Sequence, residues 1–245
     1  MKSEPGTLYG IGVGPGDPEL ITMKAVSVLS RVDIVFAAAS TKNSYSMAVD
    51  IARPHIPEHA SLQILQFPMT KDKAIVHQAW KENAHIILDA LAAGKHAAFL
   101  TLGDSLTYST YGYILKYIQS AKPHINVQTV PGITSYQAAA ARLNMPLVEG
   151  EESLMVISGA NGGDRLRHLG AKPENIVFLK AYRNVQDIKA AIDETGQYLS
   201  CVGIKNCGQA EEEIISDLTE LSAKKPNYWT LIIAKQNTNN VPKKK

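Results

Sequence analysis

The residues most able to do chemistry by their type and spacing lie near the start of the chain, where the apolar run TLYGIGVG leads into GIGVGPGDPEL, Gly10 to Leu20. Glycine lacks a Cβ, so a turn rich in it lets backbone amides and carbonyls approach a ligand closely. Asp17 is placed to cap the helical pattern that follows, and Pro18 suits a first helical turn. A helix N-terminus at this point would offer unpaired N–H groups to a polar ligand. The segment fails the dinucleotide fingerprint, because counting from Gly10 puts Pro15 at the last glycine position and counting from Gly12 puts Asp17 there. The next strand pattern, VDIVFAAAS, ends in small residues without the carboxylate that would bind a ribose, and no P-loop pattern occurs. A small-molecule turn is therefore expected, with NAD enzymes and P-loop NTPases disfavoured and a plain strand-to-helix turn as the alternative.

A second group of hydroxyls, Thr134 and Ser135, follows Pro131 and Gly132 at the head of an alanine-rich helical stretch. Such hydroxyls cap a helix or hydrogen-bond a ligand, and both uses are compatible. His55 and His59 form HIPEH, but Pro57 interrupts any helix between them and no third ligand follows, so no protein-held metal is expected. Cys201 and Cys207 are separated by five residues, which fits neither a redox nor a zinc spacing and suggests reduced structural thiols, as in the cytoplasm.

These groups must be held by something. Short β-branched runs recur along the chain (TLYGIGVG, VDIVFAAA, LQILQF, HAAFLTLG, NVQTVPG, SLMVISG, NIVFLKAY, CVGIKN and YWTLIIAK) with helical stretches between many of them. An α/β chain with mostly parallel sheets follows, because runs apolar throughout are strands covered on both faces. The longest helix is expected over about Lys71–Ala93, with Ile75, Ala79, Ile86 and Ala90 on its apolar face, His77 and His85 on its polar face, and Gly94 as its stop. Lys-Pro within Ser120–Asn126 ends a helix before a new strand, which places a domain boundary there and gives domains 1–121 and 122–245.

With 245 residues, 45% hydrophobic and 20% charged, the chain can bury a real core in one large or two small domains. A net charge of +2 with scattered basic residues disfavours nucleic acid as partner, and the terminal VPKKK reads as a solvated tail. No apolar run approaches the roughly 20 residues that cross a bilayer, and the N-terminus lacks a signal core, so a cytoplasmic protein without a membrane partner is expected.

Four segments, in order, resemble the tetrapyrrole methylase family: YGIGVGPGDPELITMKA, LTLGDSLTYST, TVPGITSYQAAAARL and YWTLIIAK. KNSYSMAVDIARPHIP and LQFPMTKDKAIVHQAW further resemble the branch that methylates C20 of precorrin-2 or cobalt-factor II in vitamin B12 biosynthesis. The resemblance implies two α/β domains, unlike Rossmann-like methyltransferases, with S-adenosylmethionine in the cleft between them, and a homodimer. By the same resemblance Pro15 lies on the cleft floor, Gly103 and Asp104 meet the cofactor, and Thr107 and Tyr108 line its pocket. Ala181, Thr230 and Leu231 complete that pocket, sheet core being their other reading, as a helix cap is for Asp104. A polycarboxylate macrocycle as substrate makes Lys42, Arg53, Arg142 and Arg183 candidates to hold its carboxylates, against the plainer reading of solvated surface charge. The reaction requires a proton to leave the methylated carbon, for which Asp104, Tyr108, Tyr111 and Glu149 are candidates without a choice among them.

Two departures from the family pattern stand out. Ser105 replaces the usual proline, which implies a less rigid loop, and GIKNCGQAEEEII keeps only Asn206 and a trailing acidic helix of the motif expected there. The alternatives are another tetrapyrrole methylase acting on precorrin-4, uroporphyrinogen III or a protein, or a module that binds donor or tetrapyrrole without turnover.

Overall fold

The computed structural model describes residues 4–40, 46–223 and 226–236; Lys42 and the terminal VPKKK lie outside the described residues. Two compact units result, residues 1–134 and 135–245.

The first unit is built on the strands β1 (Leu8–Gly12), β2 (Ile34–Ser40), β3 (Ser61–Phe67), β4 (Ala97–Thr101) and β5 (Val127–Val130). They form one sheet in the order β3-β2-β4-β1-β5, and every pairing is parallel. Parallel neighbours need helical crossovers, supplied by α1 (Met23–Leu29), α2 (Met47–Ala52), α3 (Lys73–Ala92) and α4 (Tyr111–Ala121). Alternation along the strands splits the core in two. Tyr9, Ile11, Val35, Ala37, Ala98 and Leu100 pack with α1 and α2, while Leu8, Phe36, Ala97 and Phe99 pack with α3 and α4. Covering both faces is what makes these strands apolar at nearly every position.

Right-handed crossovers demand this division, since α1 and α2 carry the chain one way across the sheet and α3 and α4 bring it back. The loops after β1 and β4 therefore depart to opposite faces although the two strands are neighbours, which opens a crevice at their carboxyl ends. β5 lies beyond the Lys-Pro break yet pairs with β1, Leu8 opposite Val127, so the first unit runs on to Thr134.

The long helix forms where its periodicity predicts but presents another face. Asp72 caps it through the amides of Ala74 and Ile75, and Ala84, Ile87, Leu88 and Leu91 are the buried positions, whereas Ile75 and Ile86 are exposed. The expected Ile75, Ala79, Ile86 and Ala90 stripe lies beside the real one, because a leucine-rich C-terminal half wins more burial, about 2 kcal/mol per fully buried Leu or Ile. Asp17 also serves a smaller element than expected. Its Oδ1 accepts from Glu19 N at 2.9 Å and caps the single 3-10 turn Pro18–Leu20, while Thr22 caps α1 through Ala25 N.

In the second unit β6 (Leu154–Ser158), β7 (Asn175–Leu179), β8 (Ser200–Lys205), β9 (Glu213–Ile215) and β10 (Thr230–Lys235) form a sheet ordered β6-β7-β10-β8-β9. Only β6 and β7 are parallel; β10 inserts between β7 and β8 and runs against both. The expectation of mostly parallel sheets thus holds for the first unit and fails for the second, where β8 and β9 also pair antiparallel across a short turn. β9 corrects a second expectation, for EEEII is a turn leading into the strand Glu213–Ile215 and not an acidic helix. Its Ile215 is buried and Ile214 is exposed, the alternation of a half-covered edge. One face of this sheet is packed by α6 (Asp164–Arg167), α7 (Val185–Thr195) and α8 (Leu218–Ala223). The remaining helix, α5 (Ser135–Leu143), opens the unit.

Candidate functional site

At the carboxyl edge of the first sheet three strand ends meet through glycine. A Cβ on Gly12 would lie 2.6 Å from both Gly103 O and Gly132 N, and one on Gly132 would lie 2.2 Å from Gly103 O. These are backbone atoms that cannot move aside, so the ends of β1, β4 and β5 touch here because Gly12 and Gly132 lack side chains. Gly14 and Gly103 exchange hydrogen bonds, Gly103 N to Gly14 O at 2.7 Å and Gly14 N to Gly103 O at 3.2 Å, each glycine at positive φ. Pro15 follows, buried. Gly103 differs from its partners in being open: a Cβ there meets nothing nearer than Ile133 O at 3.9 Å. The junction is closed below and leaves bare backbone on one side, the form a cradle for a ligand takes.

Asp104 fastens this junction. Its Oδ1 accepts from Leu106 N at 3.0 Å and Thr107 Oγ1 at 2.9 Å, and its Oδ2 accepts from Gly132 N at 3.2 Å. Burial pushes its pKa up, but the hydrogen bonds from Leu106, Gly132 and Thr107 outweigh that and hold it below its ordinary value. Asp104 is an ionised group at neutral pH. Ser105 is fully buried, donates to Val130 O at 3.4 Å and accepts from Ser109 Oγ through its carbonyl. Where the family pattern has a proline ring to stiffen the loop, this chain has hydrogen bonds.

Tyr108 comes next in an unusual conformation. Its φ of 51° lies in the left-handed region, which bulky residues rarely enter, and its side chain is half exposed. Thr101, at the end of β4 opposite Gly12, has a buried Oγ1 with no partner among the described residues. Neither feature is legible from residue type.

Tyr111 is not placed for proton transfer. It is fully buried over Gly10, whose missing Cβ would fall 2.1 Å from the ring, and its hydroxyl is 3.3 Å from Thr129 Oγ1. Burial makes it a core residue and pushes its pKa above the ordinary tyrosine value, so the phenol stays protonated at neutral pH. Thr134 is buried at the end of the first unit, and Ser135 begins α5 in the second.

The end of the second sheet gathers Ala181, Thr230 and Leu231, all buried, with Ala181 N donating to Thr230 O at 2.9 Å. What sequence reasoning missed is the brace beneath them. Asn227 Nδ2 donates to Asn206 Oδ1 at 2.7 Å, Asn206 Nδ2 donates to Glu211 O, and Thr230 Oγ1 accepts from Asn227 N. Lys180 and Asn206 both have positive φ, 58° and 53°, as the chain turns out of β7 and β8. The signal available was an asparagine in each of two turns, NCG and PNY, of which Asn206 adopts the left-handed conformation that asparagine tolerates. Beside this edge Lys180 Nζ sits 5.3 Å from the Tyr228 ring centre, and the Arg183 guanidinium sits 5.1 Å from that of Tyr182.

The candidate cations separate. Arg183 is exposed on this aromatic cluster. Arg142 Nε donates to Glu212 at 2.6 Å, and Glu212 also accepts from Gly208 N, so Arg142 ties α5 to the turn after β8. Arg53 pairs with Asp50 one helical turn away at 3.3 Å on an exposed surface. Glu149 is exposed in a turn closed by Glu149 N to Glu152 Oε2 at 3.1 Å, and Lys235, a buried lysine, fixes the residues just before it by donating to Pro146 O and Leu147 O. Among the described residues no helix is long and apolar enough to cross a membrane.

Residues 7–222 match the family model described as Tetrapyrrole (Corrin/Porphyrin) Methylases. A cobalt-precorrin-2 C(20)-methyltransferase of Salmonella typhimurium is 31% identical over 94% of this chain and 97% of its own. A probable cobalt-precorrin-2 C(20)-methyltransferase of Methanocaldococcus jannaschii is 33% identical over 94% of this chain and 96% of its own. Among solved structures, the uroporphyrin-III C-methyl transferase of Thermus thermophilus complexed with S-adenyl homocysteine superposes with a TM-score of 0.64 at 20% identity, over 94% of this chain and 92% of that one.

Proposed function

The chain belongs to the tetrapyrrole (corrin/porphyrin) methylases, and from that membership we propose that it transfers a methyl group from S-adenosylmethionine to the C20 meso carbon of cobalt-factor II or precorrin-2, in corrin biosynthesis. The observation that carries the reading is that two relatives whose names specify C20 methylation match it nearly end to end. The donor supplies an activated methyl on sulfur; the C–S bond breaks with its electrons to sulfur as the C–C bond forms, and C20 loses a proton. No protein nucleophile is required, so this chain's part is to bind, align and exclude water. In the first unit Pro15, Gly103, Thr107 and Tyr108 are assigned to the donor, with Thr134 at the end of that unit. In the second, Ser135, Ala181, Thr230 and Leu231 are assigned to it. The open backbone of Gly103 fits a ligand rich in hydrogen-bonding groups. Arg183, which has no carboxylate partner at the aromatic cluster in the ion pairs described, is assigned to substrate carboxylates ahead of Arg142 and Arg53. Any cobalt enters as part of the substrate.

The test is anaerobic incubation with methyl-labelled S-adenosylmethionine and either cobalt-factor II or metal-free precorrin-2, followed by mass and carbon NMR. One labelled methyl at C20 is expected, and the faster substrate fixes whether cobalt precedes methylation. No transfer to either, with donor binding demonstrated, overturns the C20 assignment. We place the enzyme in the cytoplasm as a homodimer; light scattering should give twice the chain mass of 26.6 kDa, and a monomer would overturn the dimer.

A further inference from the structure

We infer that Asp104 acts as a positioning residue, an ionised clamp that joins the loop after β4 to the end of β5 and so presents Thr107 and Tyr108, and that it neither accepts the departing proton nor holds the donor directly. This rests on the proposed donor site. The geometry leaves the carboxylate little else to do. One oxygen is used by Leu106 N and Thr107 Oγ1, the other by Gly132 N. A carboxylate receiving several donors is stabilised as the anion and is a weak base at neutral pH. The two oxygens also reach different strands. Oδ1 shapes the tight turn Asp104–Thr107, after which Tyr108 enters the left-handed region at φ 51°. Oδ2 pins Gly132, whose backbone already touches Gly12 and Gly103. Breaking either half of the clamp loosens the loop that leads into Tyr108, whose φ of 51° is a conformation that its surroundings must sustain.

The substitution Asp104→Asn separates this role from the others. An amide oxygen still accepts from Leu106 and Thr107, but the amide nitrogen then faces Gly132 N, donor against donor; turning the amide over breaks the other half instead. Thr107→Val is the milder companion, removing one hydrogen bond and no charge. Three quantities are read: the dissociation constant of S-adenosylhomocysteine by calorimetry, the single-turnover methyl-transfer rate at saturating donor, and hydrogen exchange of the 127–134 segment without ligand. For Asp104→Asn the expected result is binding about tenfold weaker, the scale of one hydrogen bond to a charged group, a rate at saturating donor within about threefold of the parent, and faster exchange at Gly132. Thr107→Val should weaken binding by a smaller factor in the same direction. A rate lowered a hundredfold or more with binding intact would make Asp104 a proton acceptor and overturn the inference. Unchanged exchange at Gly132 would overturn it as well. Should Asp104→Asn not fold, the binding and exchange of Thr107→Val decide. Failure of the parent protein to bind S-adenosylhomocysteine would instead strike the proposed function, while exchange at Gly132 still reports on the clamp.

Discussion

Both sheets have five strands, yet the two strand ends that hold the candidate residues are built from different materials. The first is made of backbone, three glycines in contact and one carboxylate fastening them. The second is made of side chains, an asparagine pair under a buried threonine with aromatic rings beside it. The difference follows from topology. Parallel strands deliver their loops to one edge, so several turns converge and only glycine lets them touch. In the mixed sheet β10 enters where β7 and β8 leave, the turns are spaced by the intervening strand, and side chains must span the gap.

If this contrast is right, the two ends should fail differently. Gly12→Ala should be the most damaging change, because its Cβ meets only backbone at 2.6 Å; a loss of about 3 kcal/mol or more is expected in urea unfolding, with donor binding abolished in whatever folds. Asn227→Ala leaves a buried Asn206 carbonyl without its partner and should cost about 1–3 kcal/mol, while the glycine junction keeps its exchange protection. A loss equal to that of Gly12→Ala would erase the distinction. The Asp104 carboxylate offers a third probe. Its folded pKa lies below the unfolded value, so its contribution is present at neutral pH and is lost as pH falls below about 4 toward the folded value. Stability of the parent should therefore drop more steeply between about pH 5 and pH 3 than that of Asp104→Asn. The thiols of the second unit test how tightly its sheet end is closed. Burial pushes Cys201 up to about 12 and Cys207 up to about 11, so a thiol reagent at neutral pH should label neither until the unit opens, and prompt labelling would show that the turn after β8 is loose. The smallest effect belongs to Arg53→Ala, whose exposed pair with Asp50 is worth less than about 1 kcal/mol by thermal melt.

Legibility divided along the same line. The first unit's strands and long helix were readable because both-face burial writes continuous apolar runs, and its glycine motifs were readable because nothing else can occupy such positions. The parallel expectation carried into the second unit failed since strand direction is set by connections: the short turn from β8 to β9 reverses the chain, and the crossover through α8 then brings β10 in reversed between β7 and β8. β9 escaped notice because three residues are too few for a period and its glutamates suggested a helix. The helical stripe on α3 was misplaced by one position at several points, which is enough to rotate a face. Several candidates placed by family resemblance lie near strand ends, but the structural duties of others were not legible: Tyr111 is core, Arg142 is an internal tie, and the Asn206–Asn227 brace links positions 21 apart in sequence, a pairing no local pattern announces.

The place of β1 between β4 and β5 has a consequence for how the chain is made. Leu8 is synthesised well before its neighbours in the sheet, Ala97 and Val127. At about 5–20 residues per second, synthesis leaves β1 waiting on the order of ten seconds before its second partner exists. Until β4 is made the apolar strand has both edges unpaired, and until β5 is made it has one, a template for association with other chains. The glycine junction is thus the last part of its unit to assemble, and substitutions in β5 should appear as lowered soluble yield during expression before they appear in the stability of protein that has folded.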